Sequence, residues 1–406
     1  MLKYFCFIKN NILLLGFGIL AVFWGNFGQS FFISWFGEGI QHSFDLSASQ
    51  YGMIYSLATL ASALSLVWLG GLIDKISLPI FICGICLGLC LACTILYFST
   101  GLVSLVCGFY LLRLCGQGLL PHTGQTVMVK SFVANRGKAL GLASSGIPVG
   151  EMILPLCIVW LLTQVSWQEA WAIVGAMTAL CFLPCIVILA KKIEKKSIQE
   201  TNQAIKTGVQ TASTRKEMLA EPRFWCILPA IITPAFVVTG IFIQQAALLE
   251  AKGWTATWFA TSFVLYGGTH WMGSLLGGWI VDLFTGKKVL GVYLLPMVVG
   301  LAILAFFDGT WVGPVFMINL GLTLGASGPV VGALWAELYG TAHMGAIRSL
   351  VTALMVFSSA LSPIAFGFAL DGGMSFETVM KICCVGVTCV TALAYFGVNV
   401  LKMPSR

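Results

Sequence analysis

Long uncharged apolar runs, separated by short polar or charged breaks, recur along the whole 406-residue chain. Between Lys9 and Glu38 lie 28 uncharged residues, between Asp45 and Asp74 another 28, between Lys252 and Asp282 29, and between Asp308 and Glu337 28. About 20 apolar residues cross the ~30 Å hydrocarbon core as a helix, which satisfies its own backbone polar groups where there is no water. Dividing the rest at Gly, Pro and polar clusters predicts twelve spans, at 10–36, 46–71, 79–99, 102–128, 138–163, 168–190, 224–249, 256–281, 288–307, 311–337, 347–370 and 377–401. The expected fold is an all-α membrane protein. The first run follows Lys3 and Lys9 but is too long for the h-region of a signal peptide and lacks a small-residue cleavage site, so it reads as a retained first helix.

Composition agrees with the pattern. Only 9% of residues are charged and 58% are hydrophobic, with mean hydropathy +0.95, against roughly 25% charged residues in soluble proteins. The net charge of +7 does not point to nucleic acid, because the Lys and Arg residues flank apolar runs. They also lie on one side. Counting spans from an inside N-terminus places Lys3, Lys9, Lys75, Lys130, Arg136, Lys138, Lys287, Lys288, Arg348, Lys402 and Arg406 together, whereas Glu38, Asp45, Glu169, Glu250, Asp308, Asp371 and Glu377 fall opposite, with Lys252 and Lys381 as exceptions. The positive-inside rule then makes both termini cytoplasmic. The longest polar stretch, 191–223, carries eight basic residues and reads as a cytoplasmic linker between an N-terminal six-helix bundle (1–190) and a C-terminal one (224–406). Cys83, Cys86, Cys90 and Cys93 make one stripe on the third span, which reads as packing and not as a metal site.

The halves are copies. At an offset of 208 residues Gly70 meets Gly278, Asp74 meets Asp282, Pro121 meets Pro329, Gly124 meets Gly332, Gly137 meets Gly345 and Pro155 meets Pro363. A tandem six-helix duplication is expected to form two bundles related by pseudo-two-fold symmetry about the membrane normal, holding a solute between them near the midplane.

Gly70-Gly71-Leu72-Ile73-Asp74-Lys75 and its copy Gly278-Trp279-Ile280-Val281-Asp282, followed by Lys287-Lys288, resemble the loop motif of the major facilitator superfamily, G-x-L-A-D-R-x-G-R-K. Arg113, followed by Gly116, Gln117 and Gly118, resembles its intramembrane arginine motif, and Gly141, Gly146, Pro148 and Gly150 resemble its Gly/Pro-rich fifth-span motif. With Arg136-Gly137 and Phe224-Trp225, the pattern is most similar to the monocarboxylate and oxalate/formate branch. The resemblance covers essentially the whole chain. It implies gating at the loops by Gly70, Asp74, Lys75, Gly278, Asp282, Lys287 and Lys288, the acids accepting from a neighbouring helix N-terminus. Two features depart from it: Ser77, Leu78 and Pro79 replace the glycine and basic pair of the first motif, and the eighth and eleventh spans lack the arginine and lysine expected for anion binding in that branch.

Ionisable groups inside the bilayer cost ~2.5–3.5 kcal/mol on insertion scales and mark function or pairing. Arg113 and Glu151 fall at similar midplane depth on adjacent spans and are expected to pair, either as a permanent structural contact or, as preferred here, as one that opens during the cycle. His270 is a midplane candidate for proton coupling, with a packing role as its alternative, and His122 lies nearer the cytoplasmic gate. Glu337 is expected to pair with loop cations, and Glu377 with Lys381 one helical turn on. Asn26, Gln29, Gln244, Gln245 and Asn319 are candidate solute hydrogen-bonders, with Trp24, Tyr55, Tyr266 and Trp271 as apolar walls. Interhelical hydrogen bonding is the alternative for each polar residue.

The function expected is secondary transport of a small organic solute, an organic anion such as a monocarboxylate, by alternating access with proton coupling or anion exchange. An amphipathic drug or a siderophore-like compound is the alternative solute. A membrane-embedded enzyme is a distant alternative, since no H-E-x-x-H, G-x-S-x-G or phosphate-loop string is present. No cofactor, metal or nucleic acid is expected. The lipid bilayer, the solute and protons are the expected partners of a monomer in a plasma membrane or bacterial inner membrane.

Overall fold

A computed structural model describes residues 7–132, 136–200, 215–340 and 344–399. The centre of the basic linker, 201–214, and both chain ends lie outside the described residues. Secondary structure among them is helical throughout. The first half contains α1 (Ile12–Trp24), α2 (Gly37–Phe44), α3 (Ala48–Leu69), α4 (Leu78–Tyr97), α5 (Leu102–Leu111), α6 (Leu120–Ser131), α7 (Arg136–Ser144), α8 (Gly146–Leu162), α9 (Trp167–Met177) and α10 (Leu183–Glu200). The second contains α11 (Arg215–Ala220), α12 (Pro222–Ile243), α13 (Gln245–Lys252), α14 (Ala256–Phe284), α15 (Gly286–Leu290), α16 (Leu295–Phe306), α17 (Val312–Tyr339), α18 (Met344–Asp371) and α19 (Phe376–Asn399). Among the described residues ten helices are long and apolar enough to cross a membrane, and the bent pair Ile12–Gly28 plus Ser30–Phe44, at 47°, makes an eleventh if it is taken as one span. The remaining predicted span is α14, long enough at 29 residues but less apolar because of its Thr, Ser, Gly and His residues.

Local chemistry sets the helix ends. Ser166 and Glu169 form a capping box at α9, the serine Oγ accepting from Glu169 N and the carboxylate from Ser166 N at 2.8 Å. Thr255 caps α14, and Gly253 closes α13 in the left-handed conformation at φ 61°.

The residues fall into two compact units. One holds the chain up to Leu46 and from Met53 through α10; the other holds Ser47–Gly52 and the chain from α11 onward. In the first unit Trp24 stacks on Phe182 at 4.5 Å and donates to Thr178 Oγ1 at 3.0 Å, so it packs α1 on the sixth span. The cysteine stripe packs α4 on α9, where Cys90 Sγ lies 3.8 Å from the Gly175 carbonyl.

In the second unit α14 and α17 pack through facing Gly-x-x-x-Gly steps, Gly273/Gly277 and Gly321/Gly325, which bring the two backbones together. A Cβ on Gly325 would overlap the His270 carbonyl oxygen and lie 2.7 Å from Ser274 N. At one end Lys252, with its side chain 1% exposed, is held by Asp308 at 2.9 Å, Glu377 at 3.3 Å and the Phe307 carbonyl at 3.2 Å. This corrects the expected Glu377–Lys381 pair: Glu377 turns to the buried lysine, and Lys381 sits over the Phe306 ring at 5.2 Å.

Gly325→Ala is expected to destabilise the protein by about 1–3 kcal/mol through overpacking. Gly328→Ala, three residues along the same helix where a Cβ meets nothing within 4 Å, is expected to be neutral or slightly stabilising. Thermal unfolding in detergent distinguishes them, and equal midpoints would contradict the close-approach account.

Candidate functional site

The first unit buries Arg113 at the meeting of two irregular helices. The first span leaves α-helical geometry after Trp24, runs as a 3-10 turn over Gly25–Gly28, and is extended at Gln29 (φ −79°, ψ 152°). Opposite it the fourth span widens into a π-helical segment, Leu112–Leu119. Such segments free backbone groups from the ordinary ladder and occur often at functional sites. The two breaks nest: a Cβ on Gly28 would overlap the Leu112 carbonyl oxygen and stand 2.5 Å from Gln117 N, so this close approach requires glycine.

Arg113 lies in the first turn of the π segment and is 2% exposed. Its Nη1 donates to the Gly28 carbonyl, released by the break, at 3.0 Å, and its Nε donates to Thr59 Oγ1 at 3.1 Å. The Tyr55 ring faces the guanidinium with its centroid 5.0 Å from the central carbon. Tyr55 and Thr59 are one helical turn apart on α3, so a single face of α3 supports the cation. These contacts of Arg113 are all with neutral groups. A guanidinium has five donors, and its Nη2 group takes no acceptor among the described contacts. The Tyr55 hydroxyl, fully buried, lies beside Ser30 and Thr59 without a well-formed hydrogen bond. A desolvated cation bonded only to neutral groups is electrostatically incomplete.

The other first-unit candidates flank this centre. Asn26, fully buried within the 3-10 turn, donates to the Gly146 carbonyl at 2.9 Å and leaves its Oδ1 without a protein partner. Gln29 is half-buried at the extended residue. Glu151, 3% exposed on α8, follows Gly150, whose Cα packs directly on the Asn26 side chain.

In the second unit Tyr266 (1% exposed) and the half-buried His270 lie one turn apart on α14, ring centroids 6.0 Å apart. Gln245 is buried at the start of α13. Three residues depart from their expected cavity roles. Gln244 donates to the Ala48 carbonyl at 2.9 Å and the Pro363 carbonyl at 3.2 Å; Asn319 donates to the Val315 carbonyl of its own helix at 2.8 Å and packs against Gly300. Trp271 is 52% exposed in a stripe with Leu275 and Trp279, spaced one turn apart like a lipid-facing surface.

The loop motifs are built with opposite polarity. In the first unit Asp74 pairs with Lys130 at the end of α6, and exposed His122 lies 3.2 Å from the Gly70 carbonyl; Lys75 is exposed. In the second, Glu337 near the end of α17 accepts from Gly286 N at 2.6 Å and Lys287 N at 3.1 Å, capping α15. Two expectations are corrected here. Asp282 is exposed without a contact among those described, and Glu337 meets backbone amides of the loop rather than loop cations; the exposed Lys288 is not its partner. Sequence reading missed Gly28, Thr59 and Ser30. The i, i+3 glycines Gly25 and Gly28 and the i, i+4 pair Tyr55 and Thr59 are the signals that mark them.

Comparison with known proteins agrees with this architecture. Residues 15–363 match the family model described as Major Facilitator Superfamily. The chain is 23% identical over 376 residues to the uncharacterized transporter YybO of Bacillus subtilis (strain 168), covering 85% of this chain and 84% of that one. It is 26% identical over 243 residues to the hexuronate transporter of Escherichia coli (strain K12), covering 53% of this chain and 50% of the relative. It is 24% identical over 252 residues to monocarboxylate transporter 13 of Rattus norvegicus, covering 61% and 56%. Among solved structures the nucleoside transporter NupG superposes with TM-score 0.71 at 13% identity, covering 95% of this chain and all of that chain. A bacterial homologue of the lysosomal transporter Spinster superposes with TM-score 0.67 at 16% identity, covering 96% and 97%.

The loop geometry separates two acids that the repeat makes look alike. Glu337→Gln should lower stability by about 1–3 kcal/mol, because two amides lose their charged acceptor, whereas Asp282→Asn should leave it unchanged. Unfolding midpoints of the two variants in detergent check this, and an equal loss from both would count against the loop assignment.

Proposed function

We propose that this chain, which belongs to the Major Facilitator Superfamily, carries a small organic anion across the membrane by alternating access, with Arg113 as the anion's anchor. The observation that carries the reading is the buried guanidinium with neutral partners alone and an unoccupied Nη2 edge. A carboxylate is the group that best matches a guanidinium edge, through parallel charge-assisted hydrogen bonds. Two relatives are named for carboxylate solutes, hexuronate and monocarboxylate, which supports the same class. Tyr55 limits the space beneath the cation and offers its hydroxyl to a second polar group of the solute.

Transport is coupled to protons or to exchange of a second anion. Glu151 and His270 are the coupling candidates, one in each unit. The Gly70–Lys75 and Gly278–Lys288 turns act as gates on the basic side of the membrane, which the charge distribution makes cytoplasmic, with both termini there. The membrane is a plasma membrane or bacterial inner membrane, the working unit is a monomer of two six-helix halves, and the chemistry is translocation without catalysis.

Proteoliposome counterflow of small carboxylates tests the anchor. Arg113→Ala should reduce carboxylate counterflow at least tenfold, corresponding to loss of ~1.5–3 kcal/mol of charge-assisted bonding, and Arg113→Lys should recover it only in part. Unchanged affinity and rate in Arg113→Ala would remove Arg113 from the site. For coupling, Glu151→Gln should abolish accumulation driven by a pH gradient while sparing counterflow. Normal accumulation by that variant would exclude Glu151 as the proton carrier.

A further inference from the structure

Among the described residues π-helical geometry occurs twice, over Leu112–Leu119 of the fourth span and over Thr178–Phe182 of the sixth. Such segments are rare and recur at functional sites. Both lie in the first unit, and both meet the break of the first span. The fourth-span segment reaches the break through backbone: a Cβ on Gly116 would stand 2.7 Å from Gly28 N. The sixth-span segment reaches it through side chains. Trp24 is the last α-helical residue before the break, and the two ends of the π segment grip it. Thr178 Oγ1 accepts from the indole Nε1 at 3.0 Å, and the Phe182 ring stacks on the indole at 4.5 Å with the planes 1° apart. Thr178 is fully buried and donates its hydroxyl proton to the Val174 carbonyl at 2.8 Å, so its oxygen is left to Trp24 as an acceptor.

The grip carries into the break itself. Phe27, inside the 3-10 turn, packs edge-on against Trp24 at 5.1 Å and against Phe32 at 5.0 Å. Phe32 in turn meets Trp171 of α9 at 5.8 Å. The sixth span thus holds the first on both sides of residues 25–29. Within that hold Phe32 N, which would close an α-helical turn on the Gly28 carbonyl, donates to the Gln29 carbonyl at 3.1 Å. The Gly28 carbonyl is thereby left to Arg113 Nη1 at 3.0 Å. A slip of one residue at the break would offer the guanidinium a different carbonyl.

We propose that Trp24 and Thr178 are positioning residues for Arg113. The indole–hydroxyl bond fixes where the first span leaves its helix, hence which carbonyl meets the guanidinium and where its remaining donors point. The effect on transport rests on the reading of Arg113 as the anion's anchor; the hold on the break does not.

Thr178→Val keeps the shape of the side chain and removes the acceptor, whereas Thr178→Ser keeps the acceptor. Hydrogen exchange by mass spectrometry on the full-length protein in detergent reads the hold without any solute. In Thr178→Val exchange should quicken about tenfold over 25–29 and, through the nested backbones, over 112–119, while Thr178→Ser stays at the wild-type level. Trp24→Phe, which keeps a ring but loses the donor, should behave as Thr178→Val. In proteoliposomes Thr178→Val should raise the half-saturation concentration for carboxylate counterflow about three- to tenfold, the factor one hydrogen bond is worth, at a near wild-type maximal rate. Thr178→Ser should restore it. Unchanged exchange over 25–29 in Thr178→Val or Trp24→Phe, or acceleration confined to 178–182, would overturn the hold. Quickened exchange with an unchanged half-saturation concentration, or a fall in maximal rate alone, would overturn the positioning role. Absence of carboxylate counterflow in the wild type would sink the anion reading, and hydrogen exchange would still decide the hold, so the two fail separately.

Discussion

An open backbone amide or carbonyl needs a partner, and a bilayer interior offers no water to supply one. At three places where a helix opens its backbone, a side chain from another element answers the freed group. The carbonyl released at Gly28 meets Arg113. The amides opening α15 meet Glu337, and those opening α3 meet Asp371. At these three places a charged side chain completes the hydrogen bonding of an open backbone group.

These three contacts differ in what they leave over. Glu337 and Asp371 are anions satisfied by two amides each, a favourable arrangement at a helix N-terminus where the partial positive charge lies. Arg113 is a cation satisfied only by dipoles, with one edge open. The acids are therefore suited to holding helices in place, whereas the arginine keeps donors to spare. The same distinction separates residues of one chemical type elsewhere: Gln244 has its amide directed at two carbonyls, Asn319 at its own helix, whereas Asn26 keeps a buried oxygen without a protein donor.

Duplication copied the framework and not its wiring. Both halves retain a glycine and an aspartate at the end of their second span, but only Asp74 is engaged, by Lys130; in the other half the work passes from Asp282 to Glu337 on the facing helix. An acid–base pair and an acid–amide cap close equivalent junctions with opposite polarity. Divergence of this kind is tolerated because either arrangement neutralises the open groups of a helix end.

Much was legible in the order of residues. Long uncharged runs dictate membrane helices because the energetic gap between apolar and charged insertion is several kcal/mol per residue, and the 208-residue offset, with its loop motifs, carries the family. Arg113 and Glu151 stand out by the same cost. Sequence could not tell which neighbours a buried charge would find: the contacts of Arg113 with Gly28, Thr59 and Tyr55 depend on a 3-10 break meeting a π segment. Nor could it show that Gln244 and Asn319 turn to backbone carbonyls and that Trp271 is exposed, since rotation of a helix by a third of a turn moves a side chain from one neighbour to another. Insertion is decided locally, residue by residue, by transfer from water. Partnership is decided only when helices pack, because a hydrogen bond needs both ends within about 3 Å.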